Sequence, residues 1–265
     1  MSITKTADPP TAQPSHPLPA GVVTPPAIRK ATKAAIYYPE SDGKPMGETD
    51  WHISVILYLR EALRYVFRAD ERIYIAADML FYYVEGKPRL FKVPDVFVVK
   101  GVARHDRRIY KLWEEKMAPC VIFEISSRET SDEDVGAKRI LYEQLGVKEY
   151  FLFDPLAEYL DPPLQGFRLH GRYYAPIPLT ADGTLVSDEL GLILRPENKM
   201  LRLVDPSTRR VIPTTAEAMA QVQAEAQRAQ AEAQRAQAEA QRADRAEAEL
   251  ARVQAELARL QAQAD

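Results

Sequence analysis

The chain has 265 residues, of which 46% are hydrophobic, and its formal net charge is −3. This length and composition provide one domain of ordinary size with a sizeable core, plus appendages. Residues 1–214 carry as many basic as acidic side chains, so the charge excess lies in residues 215–265. A wholly basic nucleic-acid-binding surface is therefore excluded.

Cysteine usage and hydropathy narrow the class of protein further. Cys120 is the only cysteine, which excludes an intramolecular disulfide and a cysteine-based zinc site. No apolar run reaches the roughly 18 to 20 residues that span a bilayer, and the N-terminus lacks the apolar core of a secretory signal. We expect a soluble, cytoplasmic protein that binds no membrane.

Composition divides the chain into three segments. Residues 1–28 are rich in Pro, Thr and Ala and are predicted to form a disordered tail, because they bury too little apolar surface to offset the entropy of ordering. Residues 29–214 show an α+β pattern and are predicted to form the folded domain. Residues 215–265 are dominated by Ala, Glu, Gln and Arg.

The folded domain opens with an amphipathic helix. Asp50 is its predicted N-cap, and Ile56, Leu59, Leu63 and Val66 recur at helical spacing along one buried stripe. Apolar, β-rich runs follow and are predicted as strands at 73–84, 96–99, 120–125 and 150–153. Runs at 166–176 and 190–205 contain turn residues and are predicted as peripheral hairpins.

A basic cluster lies between the second and third of these strands. Its members are Arg104, His105, Arg107, Arg108 and Lys111. The cluster predicts either a DNA contact or a solvated loop.

A helix is predicted over residues 132–145, between the strands 120–125 and 150–153, and Gly146 is expected to end it. The order strand, helix, strand favours a crossover unit whose helix packs on a central mixed sheet.

The last segment is predicted to be one long helix, because no Gly or Pro follows Pro213 and its residues are strong helix formers. AEAQRAQ recurs with a seven-residue period, and Leu250, Val253, Leu257 and Leu260 continue the apolar seam. The pattern favours a coiled coil that forms a homodimer or binds a partner helix. A lone helix with paired charges along one face is the alternative.

Glu124 interrupts the apolar strand CVIFEISS, and Asp95 begins the strand DVFVV directly after Pro94. Burial of an unpaired carboxylate costs several kcal/mol, so Glu124 needs a cation, a hydrogen-bond donor or water. An arginine partner would satisfy Glu124, and Asp95 alone would serve as a turn residue. If the strands are neighbours, however, a divalent cation such as Mg²⁺ would hold both carboxylates ionised.

Four stretches carry a family resemblance, and together they span residues 30–205. They are YYPESDGKPMGETDWH (37–52), MLFYYVEGKPRLFKVPDVFVV (79–99), YKLWEEKMAPCVIFEISSRETSDEDVGAKRILYEQLGVKEYFLFDP (110–155) and LQGFRLHGRYYAPIP (164–178). The chain resembles the Uma-type restriction-endonuclease-like family of the PD-(D/E)XK nuclease superfamily. The resemblance implies an α+β restriction-endonuclease-like core, in which helices flank a mixed central sheet, and Mg²⁺-dependent cleavage of phosphodiester bonds, with Mn²⁺ as a substitute.

The chain departs from the superfamily pattern at one position. The pattern expects a lysine two residues after the second acid, where this chain has Ser126. Lys138 is the expected replacement, because Asp134, Lys138 and Tyr142 share one helix face. On this reading Asp95, Glu124 and the Ile125 carbonyl bind the metal, and Asp95, Glu124 and Lys138 form the catalytic set.

Further candidates come from the first helix of the domain. The superfamily often adds an acid there, and Glu48, Asp50 and Glu61 are available, although each is also a plausible cap or surface residue. His52 is ambiguous for the same reason. Tyr142 is interpreted as a packing residue, Asp78 as a polar residue at a strand edge and Asp154 as a turn residue.

Two alternatives to a DNA endonuclease stay open at this point. The absence of the usual lysine is compatible with a catalytically inactive nuclease fold that binds DNA or protein. The helical tail is compatible with a coiled-coil adaptor in which the folded domain has a minor role.

Overall fold

The computed structural model of the protein describes residues 36–43, 49–128 and 130–264. The tail predicted for residues 1–28 and the candidate Glu48 lie outside the described residues. Residues from Tyr38 onward form one compact unit. No helix in the described part of the chain is both long enough and apolar enough to cross a membrane.

The first helix, α1, spans Asp50–Val66 and follows the predicted apolar stripe. Val55, Leu59 and Leu63 are fully buried on that stripe. The predicted cap is wrong by one residue, because the Thr49 side chain accepts the hydrogen bond from the His52 N–H and Asp50 is the first helical residue. Asp50 lies in the first turn, where a negative charge is favourable to the helix dipole.

Twelve strands follow α1 in the described part of the chain. They are β1 (Ile73–Ala77), β2 (Phe81–Tyr82), β3 (Phe91–Lys92), β4 (Val96–Lys100), β5 (Tyr110–Lys111), β6 (Val121–Ile125), β7 (Glu149–Phe153), β8 (Leu164–His170), β9 (Tyr173–Pro176), β10 (Leu185–Ser187), β11 (Leu192–Glu197) and β12 (Met200–Val204). A four-residue helix, α2 (Leu112–Glu115), follows β5.

Six of these strands form the central mixed sheet, in the order β1-β4-β6-β7-β8-β9. Only the β6–β7 pair is parallel, and the other neighbours in this sheet are antiparallel. The parallel pair confirms the predicted crossover, since a parallel connection requires a segment that crosses back over the sheet. The predicted neighbours Asp95 and Glu124 therefore lie at adjacent strands.

The predicted strand over residues 73–84 is wrong in extent. Asp78 has a positive φ of 48° and turns the chain, so β1 ends at Ala77 and β2 joins a separate sheet of order β3-β2-β5. The apolar pattern continues through the turn because Tyr74 and Phe81 belong to the same buried cluster.

The later runs form the two predicted hairpins, β8–β9 and β11–β12, but both hairpins belong to sheets that build the fold. The β8–β9 hairpin completes the central sheet, and β10, β11 and β12 form a three-stranded antiparallel sheet. Apolar residues of this small sheet pack in the same core as α1. Buried and more exposed residues therefore alternate along β10 and β11. The Tyr58 hydroxyl links α1 to it, accepting from the Leu203 N–H at 3.0 Å and donating to the Ile212 carbonyl at 2.8 Å.

The crossover segment is helical over residues 131–144 but is not one regular helix. It consists of α3 (Ser131–Glu133), a π-helical turn (Asp134–Lys138) and α4 (Arg139–Gln144). Gly146, with φ 78°, follows the helix and confirms the predicted stop. π-Helical turns are frequent at functional sites.

The C-terminal helix α5 spans Thr215–Ala264, about 75 Å if straight. A capping box starts it: the Glu217 N–H donates to the Thr214 hydroxyl, and the Glu217 carboxylate accepts from the Thr214 N–H. Arg202 of β12 pairs with Glu217 at 2.6 Å. The predicted long helix is thus confirmed, and its role in association stays a prediction.

Candidate active site

Asp95 lies at the start of β4, where its carboxylate reaches two other elements. Its Oδ2 accepts a hydrogen bond from the Ile125 N–H at 2.6 Å and lies 3.1 Å from Nε2 of His52. His52 is on the buried face of the first turn of α1 and is 5% exposed. Oδ1 of Asp95 accepts no hydrogen bond from the described residues, so this oxygen remains available to a ligand.

Glu124 lies in the middle of β6 and is 1% exposed. Its Oε2 is 2.9 Å from Nζ of Lys138, and its Oε1 accepts a hydrogen bond from the Tyr142 hydroxyl at 2.8 Å. Burial raises the pKa of Glu124 above its ordinary value, the positive charge of Lys138 opposes this shift, and the charge of Asp95 adds to it. The two carboxylates are therefore close enough to interact.

Lys138 joins Glu124 to a third carboxylate. Its ammonium lies 2.8 Å from Oδ1 of Asp134, in the same π-helical turn. Burial alone would lower the pKa of Lys138, but the charges of Glu124 and Asp134 outweigh burial and raise it. The Tyr150 hydroxyl donates to the Asp134 carbonyl at 3.0 Å and fixes the turn on the sheet.

The charge balance of this cluster suits a divalent cation. Asp95, Glu124 and Asp134 face one ammonium, that of Lys138, so the group has a formal charge of −2 when all are ionised. Ser126 adds a buried hydroxyl that has no hydrogen-bond partner in the described part of the structure. Carboxylate, carbonyl and hydroxyl oxygens are the ligands that Mg²⁺ prefers.

No three His, Cys, Asp or Glu side chains among the described residues are grouped closely enough to hold a metal ion by themselves. A cation would therefore rest on Asp95 and Glu124, with main-chain oxygen and water completing its shell, which is the usual arrangement for Mg²⁺.

The structure brings most of the predicted site residues together. Asp95, Glu124, Lys138 and the backbone of Ile125 meet at one end of the β4–β6 pair, although the contact that Ile125 makes is through its N–H. Asp50 and Glu61 are exposed, and Glu61 pairs with Arg60. Neither makes a contact with this cluster.

The smaller predictions have mixed outcomes. Asp154 is the predicted turn residue, and its carboxylate accepts from the N–H groups of Leu156, Tyr159 and Leu160. Tyr142 was interpreted as packing, and it is fully buried, but it also binds Glu124. Its four-residue spacing from Lys138 was the signal for this contact.

The basic cluster is mostly engaged within the fold. Arg107 forms a two-point pair with Glu115 and stacks over Tyr74, 4.2 Å from its centroid. Arg108 pairs with Glu40, and Lys111 pairs with Glu114. Arg104, His105 and Arg108 are nevertheless exposed, so the solvated loop is confirmed for these three residues, and the DNA contact stays a prediction.

A mixed sheet flanked by helices, with Asp and Glu at adjacent strands and a buried lysine on the crossover segment, defines a nuclease-like α+β protein. Residues 33–196 match the model of the Uma2 family, described as "Putative restriction endonuclease". This match covers more than half of the chain, and the chain belongs to that family.

One similar solved structure is described as a "putative nuclease belonging to DUF820" from Anabaena variabilis. It shares 18% identity over 56% of this chain and 76% of its own, with a TM-score of 0.40. No curated protein matches the chain.

Proposed function

We propose that this protein is a metal-dependent endonuclease that hydrolyses phosphodiester bonds in DNA. The family supports a nuclease, and the buried Lys138, paired with Glu124 and Asp134 beside the half-buried Asp95, carries the proposal. Buried ion pairs are on average no more stabilising than apolar packing of similar volume, so fold stability alone does not account for this cluster.

The proposed metal ligands are Oδ1 of Asp95, the carboxylate of Glu124 and the main-chain carbonyl of Ile125. The bound ion would be Mg²⁺, with Mn²⁺ as a substitute, and it would supply positive charge for the phosphate and an activated water. His52 and the Ile125 N–H hold Oδ2 of Asp95, and Oδ1 is therefore the oxygen that we assign to the metal.

Lys138 supplies the cation that Ser126 cannot. Its ammonium is fixed by Glu124 and Asp134, so it is positioned to stabilise the negative charge that develops on the phosphate. Tyr142 orients the Glu124 carboxylate from the other oxygen. A preorganised cation of this kind requires no rearrangement when the substrate binds.

A second function is favoured by the same contacts. Lys138 and Tyr142 each contact one oxygen of Glu124. These contacts satisfy the buried carboxylate without a metal ion. This arrangement suits an inactive nuclease fold that binds DNA or protein, with α5 as an adaptor surface.

Cleavage of supercoiled plasmid by the purified full-length chain separates the two functions. Wild type should nick or linearise the plasmid only with Mg²⁺ or Mn²⁺, and Asp95→Ala, Glu124→Ala and Lys138→Ala should each remove the activity. Glu197→Ala, an exposed acid on β11, is the matched control and should behave as wild type. Absence of cleavage by wild type would favour the binding function, and cleavage by all three variants would indicate a contaminant.

A further inference from the structure

A groove follows the outer edge of β1. Its volume is about 650 Å³. β1 pairs with β4 on one side only, and no other described strand lies beside it. Arg60 and Arg64 of α1 form one wall, and the loop that contains Arg104 and Arg107 forms the other.

The backbone of β1 presents hydrogen-bonding groups to this groove. At the two ends of the strand, the Arg72 carbonyl accepts from Gly101 and the Asp78 N–H donates to the Asp95 carbonyl. Antiparallel pairing alternates along a strand, so the backbone groups of Ile75 and Ala77 point to the open edge. Such an edge is a ready acceptor of an extended ligand.

The groove is positively charged. Four arginines and His105 line it, against one acid, Asp106. Arg104 donates to the main-chain carbonyls of Phe67, Arg68, Asp70 and Ile73, and no carboxylate of the described residues forms an ion pair with it. Arg107 is neutralised by Glu115, and the exposed pair of Arg60 with Glu61 is weak. Arg60, Arg64 and Arg104 therefore carry the charge of the groove.

One end of the groove lies beside the candidate active site. Ala77, in its lining, pairs with Val96, the residue after Asp95. On the α1 wall, Arg60 and Arg64 follow His52 by 8 and 12 residues, which places them about 12 and 18 Å along the helix axis. The groove thus leads away from Asp95 over the length of a few nucleotides.

We propose that this β1 groove binds the sugar-phosphate backbone of the nucleic-acid strand that enters the active site. Arg60, Arg64 and Arg104 contact phosphates, and the N–H groups of Ile75 and Ala77 donate to them. Backbone contacts of this kind carry no sequence information, so the groove holds the strand without selecting a sequence. The inference rests on the proposed function.

Charge distinguishes this occupant from the usual partner of an open strand. Edge-to-edge pairing of β1 in two copies would bring the arginines of one copy against those of the other, which opposes association. A polyanion has the complementary charge. An acidic peptide shares that property and is the competing occupant in the test below.

The test measures binding without cleavage. Fluorescence anisotropy of a short labelled single-stranded DNA is followed with full-length protein in EDTA, over a range of salt concentrations. The double variant Arg60→Gln/Arg64→Gln removes two contacts, and Arg172→Gln, an exposed arginine in the β8–β9 turn, is the control at the opposite edge of the sheet. In the double variant, the slope of log affinity against log salt concentration should be less steep by about 1.4. Its affinity for the DNA should be about 25-fold weaker at 0.1 M salt.

The outcomes separate the groove from the nuclease proposal. A loss confined to the double variant, with circular dichroism unchanged, supports the groove. If the double variant binds DNA with the affinity and salt dependence of wild type, the groove inference is overturned. The nuclease proposal is then tested separately by the plasmid assay. Failure of wild type to bind DNA overturns both. Labelled polyglutamate, an acidic peptide, is titrated in the same way. If the double variant loses polyglutamate binding but retains DNA binding, the groove binds an acidic protein and the inference is overturned.

Discussion

At the Asp95 carboxylate, the two oxygens have different surroundings. Oδ2 is held by the Ile125 N–H and His52, whereas Oδ1 accepts no hydrogen bond from the described residues. Metal-binding carboxylates are usually oriented by such outer hydrogen bonds. His52 is therefore a positioning residue in this account, and it needs to donate from Nε2.

Substitution of His52 tests this role. His52→Leu should weaken Mn²⁺ binding by about 10- to 100-fold, which is the usual loss when a partner of a metal ligand is removed. His52→Gln, which keeps a donor near the same place, should recover most of the affinity. Calorimetric titration of Mn²⁺ without nucleic acid measures both. Equal losses in the two variants would show that His52 acts only through packing.

The adjacency of Asp95 and Glu124 was predictable from the sequence, because each belongs to an apolar strand and the two strands were expected to be neighbours. Strand alternation also placed Glu124 on one face with Ser126, and the structure shows that Lys138 of the crossover segment contacts Glu124. The contact between His52 and Asp95 was not predictable. His52 lies on a regular buried helix face, where a histidine has the same spacing whether it packs or binds a carboxylate.

At the scale of elements, buried Glu149 joins the central sheet to the β10–β11–β12 sheet. Its carboxylate accepts hydrogen bonds from Arg168, the Ser187 hydroxyl and the N–H groups of Asp188 and Glu189. Glu149 itself is fully buried. The junction therefore depends on one side chain that satisfies four donors.

Glu149→Ala should lower the free energy of unfolding by about 3–5 kcal/mol, because it leaves Arg168 and several donors without their partner. Urea denaturation followed by tyrosine and tryptophan fluorescence measures this loss. Glu197→Ala, which breaks an exposed pair with Arg195, should change the stability by less than about 1 kcal/mol. Similar losses in the two variants would contradict the assigned junction.

The start of α5 should respond to pH through Glu217. Hydrogen bonds from Arg202 and the Thr214 N–H lower the pKa of Glu217 from 4.5 to about 2. A depressed carboxyl pKa stabilises the fold above the unfolded value of 4.5, and this contribution is lost as the pH falls toward 2. Because Glu217 is half exposed, solvent screening limits the effect to at most about 1 kcal/mol.

Glu217→Gln should therefore lower the Tm at neutral pH, and its difference from wild type should shrink as the pH falls below 4.5. Intrinsic fluorescence is the suitable probe, since residues 215–265 contain no Tyr or Trp. Glu225→Gln, exposed further along α5, should match wild type throughout. A difference that is constant with pH would indicate lost packing instead.

Regular elements were predicted most reliably, because their periodicity extends over many residues. The α1 stripe, β6, β7 and the long α5 follow this rule. Local events escaped prediction: the positive φ of Asp78, which splits one apolar run, and the π-helical turn that carries Lys138. Both depend on tertiary hydrogen bonds. The Asp78 N–H donates to the Asp95 carbonyl, and the Tyr150 hydroxyl donates to the Asp134 carbonyl.

At the scale of the whole molecule, α5 leaves Leu250, Val253 and Leu257 exposed along its heptad seam. Apolar seams of this kind are buried in coiled coils. We predict that the full-length chain is a dimer and that a chain ending at residue 223, which keeps the Thr214–Glu217 cap, is a monomer. Light scattering coupled to size exclusion measures both masses. A dimer in the shortened chain would place the interface in the folded domain.

The central claim is that Asp95 and Glu124 share one divalent cation, and calorimetric titration of Mn²⁺ into the full-length chain tests it most directly. Wild type should bind one Mn²⁺ per chain at this site, and Asp95→Asn and Glu124→Gln, which preserve size while removing charge, should each abolish that binding. Glu197→Gln should bind as wild type does. Unchanged Mn²⁺ binding in both site variants, or no binding by wild type, would contradict the account.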